Sequence, residues 1–284
     1  MLEPELRFCR RRRHWLISSL GAVLAGAGWT GRAGAQSGAR MALVIGNARY
    51  AGAPLHSPIN DARLMDDTLR KIGFQVDLRT NLGLAEMTQG VQAWLRKAAP
   101  ASVRLVFFSG HGAQYRGSNY LLPADVKLQS EDDLPGAAFH VDELIDLVAR
   151  FDTGVNLLVF DACRSVPAVL PSFGSRKGDK PPSWTPGFAP VAVPQGTLVA
   201  WATSRGSVAL DNARGGNSLF TRHFASHLGT PGLVVEEILK RTRESVKRES
   251  SGTQVPEDTS TLSGDFCLVA SSTGACGIRP ALPR

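Results

Sequence analysis

Apolar residues along this chain follow two alternating rhythms. Met41-Ala42-Leu43-Val44-Ile45 is an unbroken apolar run closed by Gly46-Asn47, and Val103 to Phe108, Val155 to Phe160 and Thr197 to Trp201 repeat the form. Short runs this uniformly apolar predict strands buried on both faces. Phe74-Gln75-Val76 opens a further strand, and Asp265 to Val269 is expected as the last. Between them the spacing turns helical. Residues 60–72 place Ala62, Leu64, Met65, Leu69 and Ile72 on one face, 84–98 do so with Trp94 and Leu95, and helices are also expected over 141–150, 217–228 and 232–248. Strands alternating with helices define an α/β class: a mostly parallel central sheet of about six strands, covered by helices as a three-layer αβα sandwich.

Two stretches fall outside this rhythm. Residues 164–194 are dominated by Pro, Gly, Ser, Lys and Arg and read as a long mobile linker between a 40–163 part and a 195–270 part of one domain. Residues 1–35 read as an export signal: four arginines at 10–13, a weakly apolar run from Trp15 to Ala27, then the small triplet Ala33-Gly34-Ala35. Paired Arg12-Arg13 before Trp15-Leu16 resembles a twin-arginine signal, and the apolar run is shorter than the ~20 residues a membrane span needs. A periplasmic or secreted protein of residues 36–284 is the expectation, without stable membrane insertion once the signal is removed.

Charge then changes its meaning. The chain carries 32 Lys and Arg against 25 Asp and Glu, a net +7. Six arginines against two glutamates in the first 35 residues supply +4 of that, so residues 36–284 are nearly balanced and no nucleic-acid partner is expected. Of the four cysteines, Cys9 lies in the signal, while Cys267 and Cys276 are close enough in sequence for a local disulfide in an oxidising compartment. Cys163 is then the odd thiol, either buried and inert or reactive.

Its neighbours bear on that choice. Asn60-Asp61 lies beyond strand one, Ser109-Gly110-His111-Gly112 follows strand three, and Asp161-Ala162-Cys163-Arg164 follows strand four. Open parallel sheets bind ligands beyond the carboxyl ends of their strands, where strand order reverses. If strand two lies outside strand one, all three segments line one crevice. A thiol beside an imidazole suits nucleophilic catalysis, with His111 as acid and base. The glycines flanking His111 leave room for a substrate backbone, and the amides of Gly112 and Cys163 suit an oxyanion hole.

Phe107-Phe108-Ser109-Gly110-His111-Gly112 and Val159-Phe160-Asp161-Ala162-Cys163-Arg164 resemble the two catalytic signatures of the caspase and metacaspase-like cysteine peptidases, the peptidase C14 type. His111 and Cys163 stand 52 residues apart, against about 50 expected in caspases. Leu43-Val44-Ile45-Gly46-Asn47, Asn60-Asp61-Ala62, Tyr120-Leu121-Leu122-Pro123, Asn217-Ser218-Leu219-Phe220-Thr221 and Ser263-Gly264-Asp265-Phe266 resemble bacterial members, so the likeness runs over residues 40–270. It implies a caspase-hemoglobinase-like fold and a Cys163–His111 endopeptidase acting on peptides or proteins. Asp161, two residues before the cysteine, resembles metacaspases, which cleave after Arg or Lys. The resemblance carries the pocket roles onto Asp61, Ser109 and Asp161. Two carboxylates in a desolvated slot attract guanidinium and repel an acidic side chain.

Several readings stay open at this level. Asp61 has a pocket role or caps the following helix. Ser109 lines the pocket or bonds nearby backbone. Asp211 borders the groove or makes a turn. Arg176, Lys177 and Lys180 make the linker a candidate for self-cleavage. No metal or other cofactor is expected. Calcium is the one candidate ion, with Asp125, Asp132, Asp133, Asp142 and Glu143 the nearest carboxylates and no evident ligand set. His223 and His227 are four apart but lack a third ligand, and His56 and His140 read as loop or cap residues. The alternative from another class is a caspase-like fold serving as a catalytically poor binding or scaffold module. Oligomeric state is not legible.

Overall fold

The computed structural model describes residues 38–151, 153–163, 188–204, 211–212 and 215–273. Every described residue belongs to one compact unit. The export signal, Arg176, Lys177, Lys180 and Cys276 lie outside the described residues.

The sheet forms in the expected order. Strand β1 (Arg40–Gly46) pairs in parallel with β2 (Gln75–Thr80) on one side and with β3 (Val103–Tyr115) on the other. Strand β6 (Val155–Cys163) follows β3, then β7 (Thr197–Trp201), all parallel, and β8 (Glu257–Ser260) closes the edge antiparallel. The order β2-β1-β3-β6-β7-β8 puts β2 outside β1, so the reversal falls between β1 and β3.

Alternate side chains of these strands feed two cores. Ala42, Val44, Leu105, Phe107, Leu157 and Val159 pack under α1 (Pro58–Lys71), α5 (Leu219–Leu228) and α6 (Val235–Glu249). Leu43, Ile45, Val106, Phe108, Leu158 and Phe160 pack under α2 (Leu84–Ala98) and α4 (Val141–Ala149). Each fully buried Leu or Phe is worth roughly 1.5–3 kcal/mol, which is why the unbroken apolar runs hold the centre of the sandwich. Helix α1 starts with Pro58 in its first turn and stops at Gly73, whose φ of +90° turns the chain left-handed. The amides of Gly73 and Phe74 close back on Arg70 and Leu69, a helix ending that favours glycine.

Three expectations are corrected. The last strand is not Asp265–Val269, where a single bridge joins Cys267 to Val234. Phe266 and Leu268 enter the core there, which imitates a strand pattern. The true edge strand is polar and alternately exposed, as unpaired edges tend to be. Strands β3 and β6 run past Phe108 and Phe160 to Tyr115 and Cys163, so residues 109–112 and 161–163 are strand rather than loop. Residues 188–194, assigned to the mobile linker, hold buried Phe188 and Ala189. Phe188 stacks on Trp201 at 3.9 Å, and the Asn119 side chain bonds both the amide and the carbonyl of Ala189.

The extension of β3 adds a hairpin that apolar patterning does not announce. Gly112–Tyr115 pairs antiparallel with β4 (Ser118–Leu121), which pairs with β5 (Phe139–His140). Its two-residue loop, Arg116-Gly117, has both φ values positive, the twist that suits a tight hairpin. The four-residue α3 (Leu134–Ala137) precedes β5.

Candidate active site

The site begins with strand register. Ser109 lies opposite Asp161, Gly110 opposite Ala162 and His111 opposite Cys163 across the parallel β3–β6 pair. The two motifs, 52 residues apart in sequence, are therefore adjacent by sheet geometry alone. The backbone of Cys163 is the last residue of β6.

His111 is buried and held from two directions. Its backbone N–H donates to the Tyr50 hydroxyl at 3.0 Å, and that hydroxyl donates to the Leu122 carbonyl at 3.0 Å. The tyrosine and imidazole rings lie 4.5 Å apart. The ring Nε2 lies 2.8 Å from the Ala53 carbonyl oxygen. A carbonyl only accepts, so Nε2 carries the proton and Nδ1 keeps its lone pair. Nδ1 is buried and has no hydrogen-bond partner among the described residues. Burial pushes the imidazole pKa below its ordinary value, opposed by the Ala53 bond and the Asp211 charge. The result is a neutral base with one nitrogen free.

The glycines beside His111 serve packing. A Cβ on Gly110 would sit 2.6 Å from the Tyr50 hydroxyl, and one on Gly112 would sit 2.9 Å from the Phe188 ring. A side chain at either position would therefore displace Tyr50 or Phe188.

The carboxylates assemble as the sequence suggests, with more support than it reveals. Asp61 and Asp161 are buried, and Ser57, Pro58, Asp61, Ser109, Gly110, Asp161, Asp211 and Ser218 line a narrow, nearly closed cleft. Asp61 sits inside the first turn of α1, past its N-cap Ser57, so the capping role falls away. Its Oδ1 accepts from Asn217 Nδ2 at 3.1 Å and from the Ser218 amide at 2.9 Å, and its Oδ2 accepts from Ser109 Oγ at 3.1 Å. Ser109 thus bonds a carboxylate rather than backbone. Asp161 Oδ2 accepts from Thr221 Oγ1 at 2.6 Å and from Ser218 Oγ. Burial and the nearby Asp161 raise Asp61 to about 8, and burial raises Asp161 in the same direction. Two carboxylates so placed do not both ionise easily. Asp211 joins them, accepting from the amides of His56 and Ser57 and thereby anchoring the start of α1.

Sequence reasoning assigned no role to Tyr50, to the Ala53 carbonyl or to the polar start of α5. Asn217-Ser218 and Thr221 belong to a motif noticed only by resemblance. Four of the five carboxylates considered for calcium have other partners. Asp125 accepts from the Leu84 amide, Asp133 from the amides of Gln129 and Ser130, Asp132 pairs with Arg116, and Asp142 lies 3.6 Å from His140. Among the described residues no three His, Cys, Asp or Glu side chains converge as metal ligands. His223 pairs with Glu249 at 2.8 Å instead. Cys267 is disulfide-bonded. No helix among the described residues is long and apolar enough to cross a membrane.

The layered sheet with its strand-end His and Cys has the caspase fold: the chain superposes on the crystal structure of caspase-1 from Spodoptera frugiperda with a TM-score of 0.58, at 17% identity, covering 83% of this chain and 92% of that one. The caspase-domain family model matches residues 39–267, and the chain belongs to that family. Among curated relatives it is 29% identical over 128 residues to the human mucosa-associated lymphoid tissue lymphoma translocation protein 1, and likewise to its mouse homologue. Those stretches are 44% of this chain and 15% of either relative, so the chain matches only a small part of their length.

Proposed function

We propose that this protein is a thiol endopeptidase that cleaves peptide or protein substrates after arginine or lysine. The observation that carries the reading is the free Nδ1 of His111, on a residue paired directly across the sheet with Cys163. Cys163 supplies the sulfur nucleophile and gives its proton to the imidazole. The thiolate adds to the scissile carbonyl, and the amides of Gly112 and Cys163 receive the oxyanion. The imidazolium then protonates the leaving amine as the C–N bond breaks. His111 next takes a proton from water, which hydrolyses the thioester and returns the thiol.

Selection of a basic side chain rests on the cleft of Asp61, Asp161 and Asp211, with Ser109 beside them. Among the described residues no lysine or arginine forms an ion pair with Asp61 or Asp161. An entering guanidinium supplies that missing charge, with two donors matched to a carboxylate. An aspartate side chain meets only repulsion. The test is hydrolysis of matched peptides ending in Arg, Lys or Asp by the purified protein and by Cys163→Ala, with and without calcium. Cleavage after Arg or Lys that vanishes in the variant supports the reading. Cleavage after Asp overturns the specificity, and cleavage of nothing turns the weight to a binding module.

We propose further that the protein works outside the cytoplasm. The arginine cluster, apolar run and Ala33-Gly34-Ala35 of the first 35 residues support this. Fusing those residues to a reporter and finding it in the cytoplasm refutes it.

A further inference from the structure

We infer that Ser218, at the N-terminus of α5, is a positioning residue that sets both acidic side chains of the specificity cleft. The inference rests on the proposed preference for basic residues and adds the element that prepares the cleft for it.

Ser218 is the residue that touches both carboxylates. Its amide donates to Asp61 Oδ1 and its hydroxyl donates to Asp161 Oδ2. The same hydroxyl accepts from the Thr221 amide at 3.0 Å, so its rotamer is fixed by the helix it caps. Asn217 and Thr221 add one donor each, to Asp61 and Asp161 respectively. Four donors thus converge where a helix presents unpaired amides and partial positive charge. They come from a part of the chain more than 50 residues beyond Asp161.

The surrounding charges make this polar grip consequential. Asp61 faces the cleft from α1, Asp161 from β6 and Asp211 from the segment after β7. His111 approaches Asp211 from β3 and is neutral. On α5, Arg222 and His223 are held by Glu249. The α5 donors are therefore the main local support for negative charge on the pair before a substrate arrives. Without the Ser218 hydroxyl, Asp161 loses a charge-assisted bond and the pair keeps its shared proton to higher pH. That proton competes with the substrate's cation. The reacting strands β3 and β6 are unaffected, so the effect falls on KM and not on kcat.

The test compares wild type, Ser218→Ala, Ser218→Thr and Thr221→Val in the pH dependence of KM and kcat for an arginine-ended peptide. Carboxyl carbon NMR titration of Asp61 and Asp161 is run on the same unliganded proteins. Ser218→Ala is expected to raise KM at pH 7 about tenfold, the scale of a charge-assisted hydrogen bond. Its KM should recover at higher pH, with kcat within about twofold of wild type. Ser218→Thr, which keeps the hydroxyl, should restore wild-type behaviour. Thr221→Val, which keeps the Ser218 cap, should move KM and the titration the same way if Ser218→Ala folds poorly. Carboxyl titrations unmoved in folded Ser218→Ala and Thr221→Val overturn the inference. Failure of wild type to cleave after arginine overturns the functional reading instead, and the titrations still decide whether Ser218 governs the acidic pair.

Discussion

The Nε2 of His111 donates to the Ala53 carbonyl across 2.8 Å, and this contact decides which imidazole nitrogen is left for chemistry. With Nε2 committed, Nδ1 is the nitrogen that can act as base in the proposed reaction. Burial favours the neutral ring, so its pKa lies below the ordinary value of 6.5. The ring is unprotonated, and able to accept the thiol proton, at all pH values above its lowered pKa. An imidazole NMR titration of His111 in the unliganded protein is therefore expected to have its midpoint below pH 6.5. A midpoint above that value would show that the imidazole is charged in the resting protein near neutral pH. Replacing His111 with Gln should lower kcat by about two to four orders of magnitude, the usual weight of general acid–base catalysis.

Tyr50 holds the other side of the same residue. Its hydroxyl takes the His111 N–H and gives its own proton to the Leu122 carbonyl. Tyr50→Phe keeps the ring against the imidazole but leaves the buried His111 amide unpaired, while the Leu122 carbonyl keeps its bond from Asn47 Nδ2 at 3.3 Å. An orphaned buried donor costs about 1–3 kcal/mol. Urea denaturation should show a loss within that range, together with a lower kcat. An unchanged midpoint would mean that this amide finds another partner.

The acidic pair makes folding stability depend on pH. Asp61 is raised from 3.8 to about 8 by burial and by Asp161. Between those values the native carboxyl holds a proton that the unfolded chain has lost. Folding stability therefore falls as pH rises from about 4 towards 8, by up to about 1.4 kcal/mol per pH unit from this group. Asp61→Asn removes the titration. It should lose most cleavage after arginine while gaining stability over wild type at pH 8 more than at pH 5. Urea midpoints at the two pH values check this. A variant no more stable at pH 8 would show that Asp61 is ionised in the resting protein.

Which parts were legible in the sequence follows from what makes a signal. Strands β1, β3, β6 and β7 are buried on both faces and announce themselves as apolar runs, and the histidine and cysteine motifs at the ends of β3 and β6 gave the candidate site its place. Strand β8 was invisible because an edge strand is polar, as Glu257-Asp258-Thr259-Ser260 is. The β3–β4 hairpin was missed because its signal is the turn Arg116-Gly117, not periodicity. Asp61 and Asp161 were legible only through resemblance. Their partners Asn217, Ser218 and Thr221 lie more than 150 residues beyond Asp61 and more than 50 beyond Asp161, and no local pattern connects such groups. The Ala53 carbonyl is backbone and leaves no trace in residue type.

Gly110 offers a prediction whose sign can be checked against a sister position. An added Cβ would lie 2.6 Å from the Tyr50 hydroxyl and 2.8 Å from the Phe108 ring. The hydroxyl is pinned between the His111 amide and the Leu122 carbonyl, and Phe108 is fully buried. Neither can yield without disturbing the histidine or the core. Gly110→Ala should cost about 1–3 kcal/mol, the range for overpacking, and should lower kcat because the strain falls on the bond that orients His111. Gly136, within α3, meets nothing within 4 Å and has no left-handed φ. Gly136→Ala should instead be neutral or stabilise by up to about 1 kcal/mol, through the reduced entropy of the unfolded chain. Thermal denaturation of the two variants, with kcat measured beside it, separates the cases. Equal and opposite shifts are not required, but a Gly110→Ala protein as stable and active as wild type would mean that Tyr50 is free to move and does not position His111.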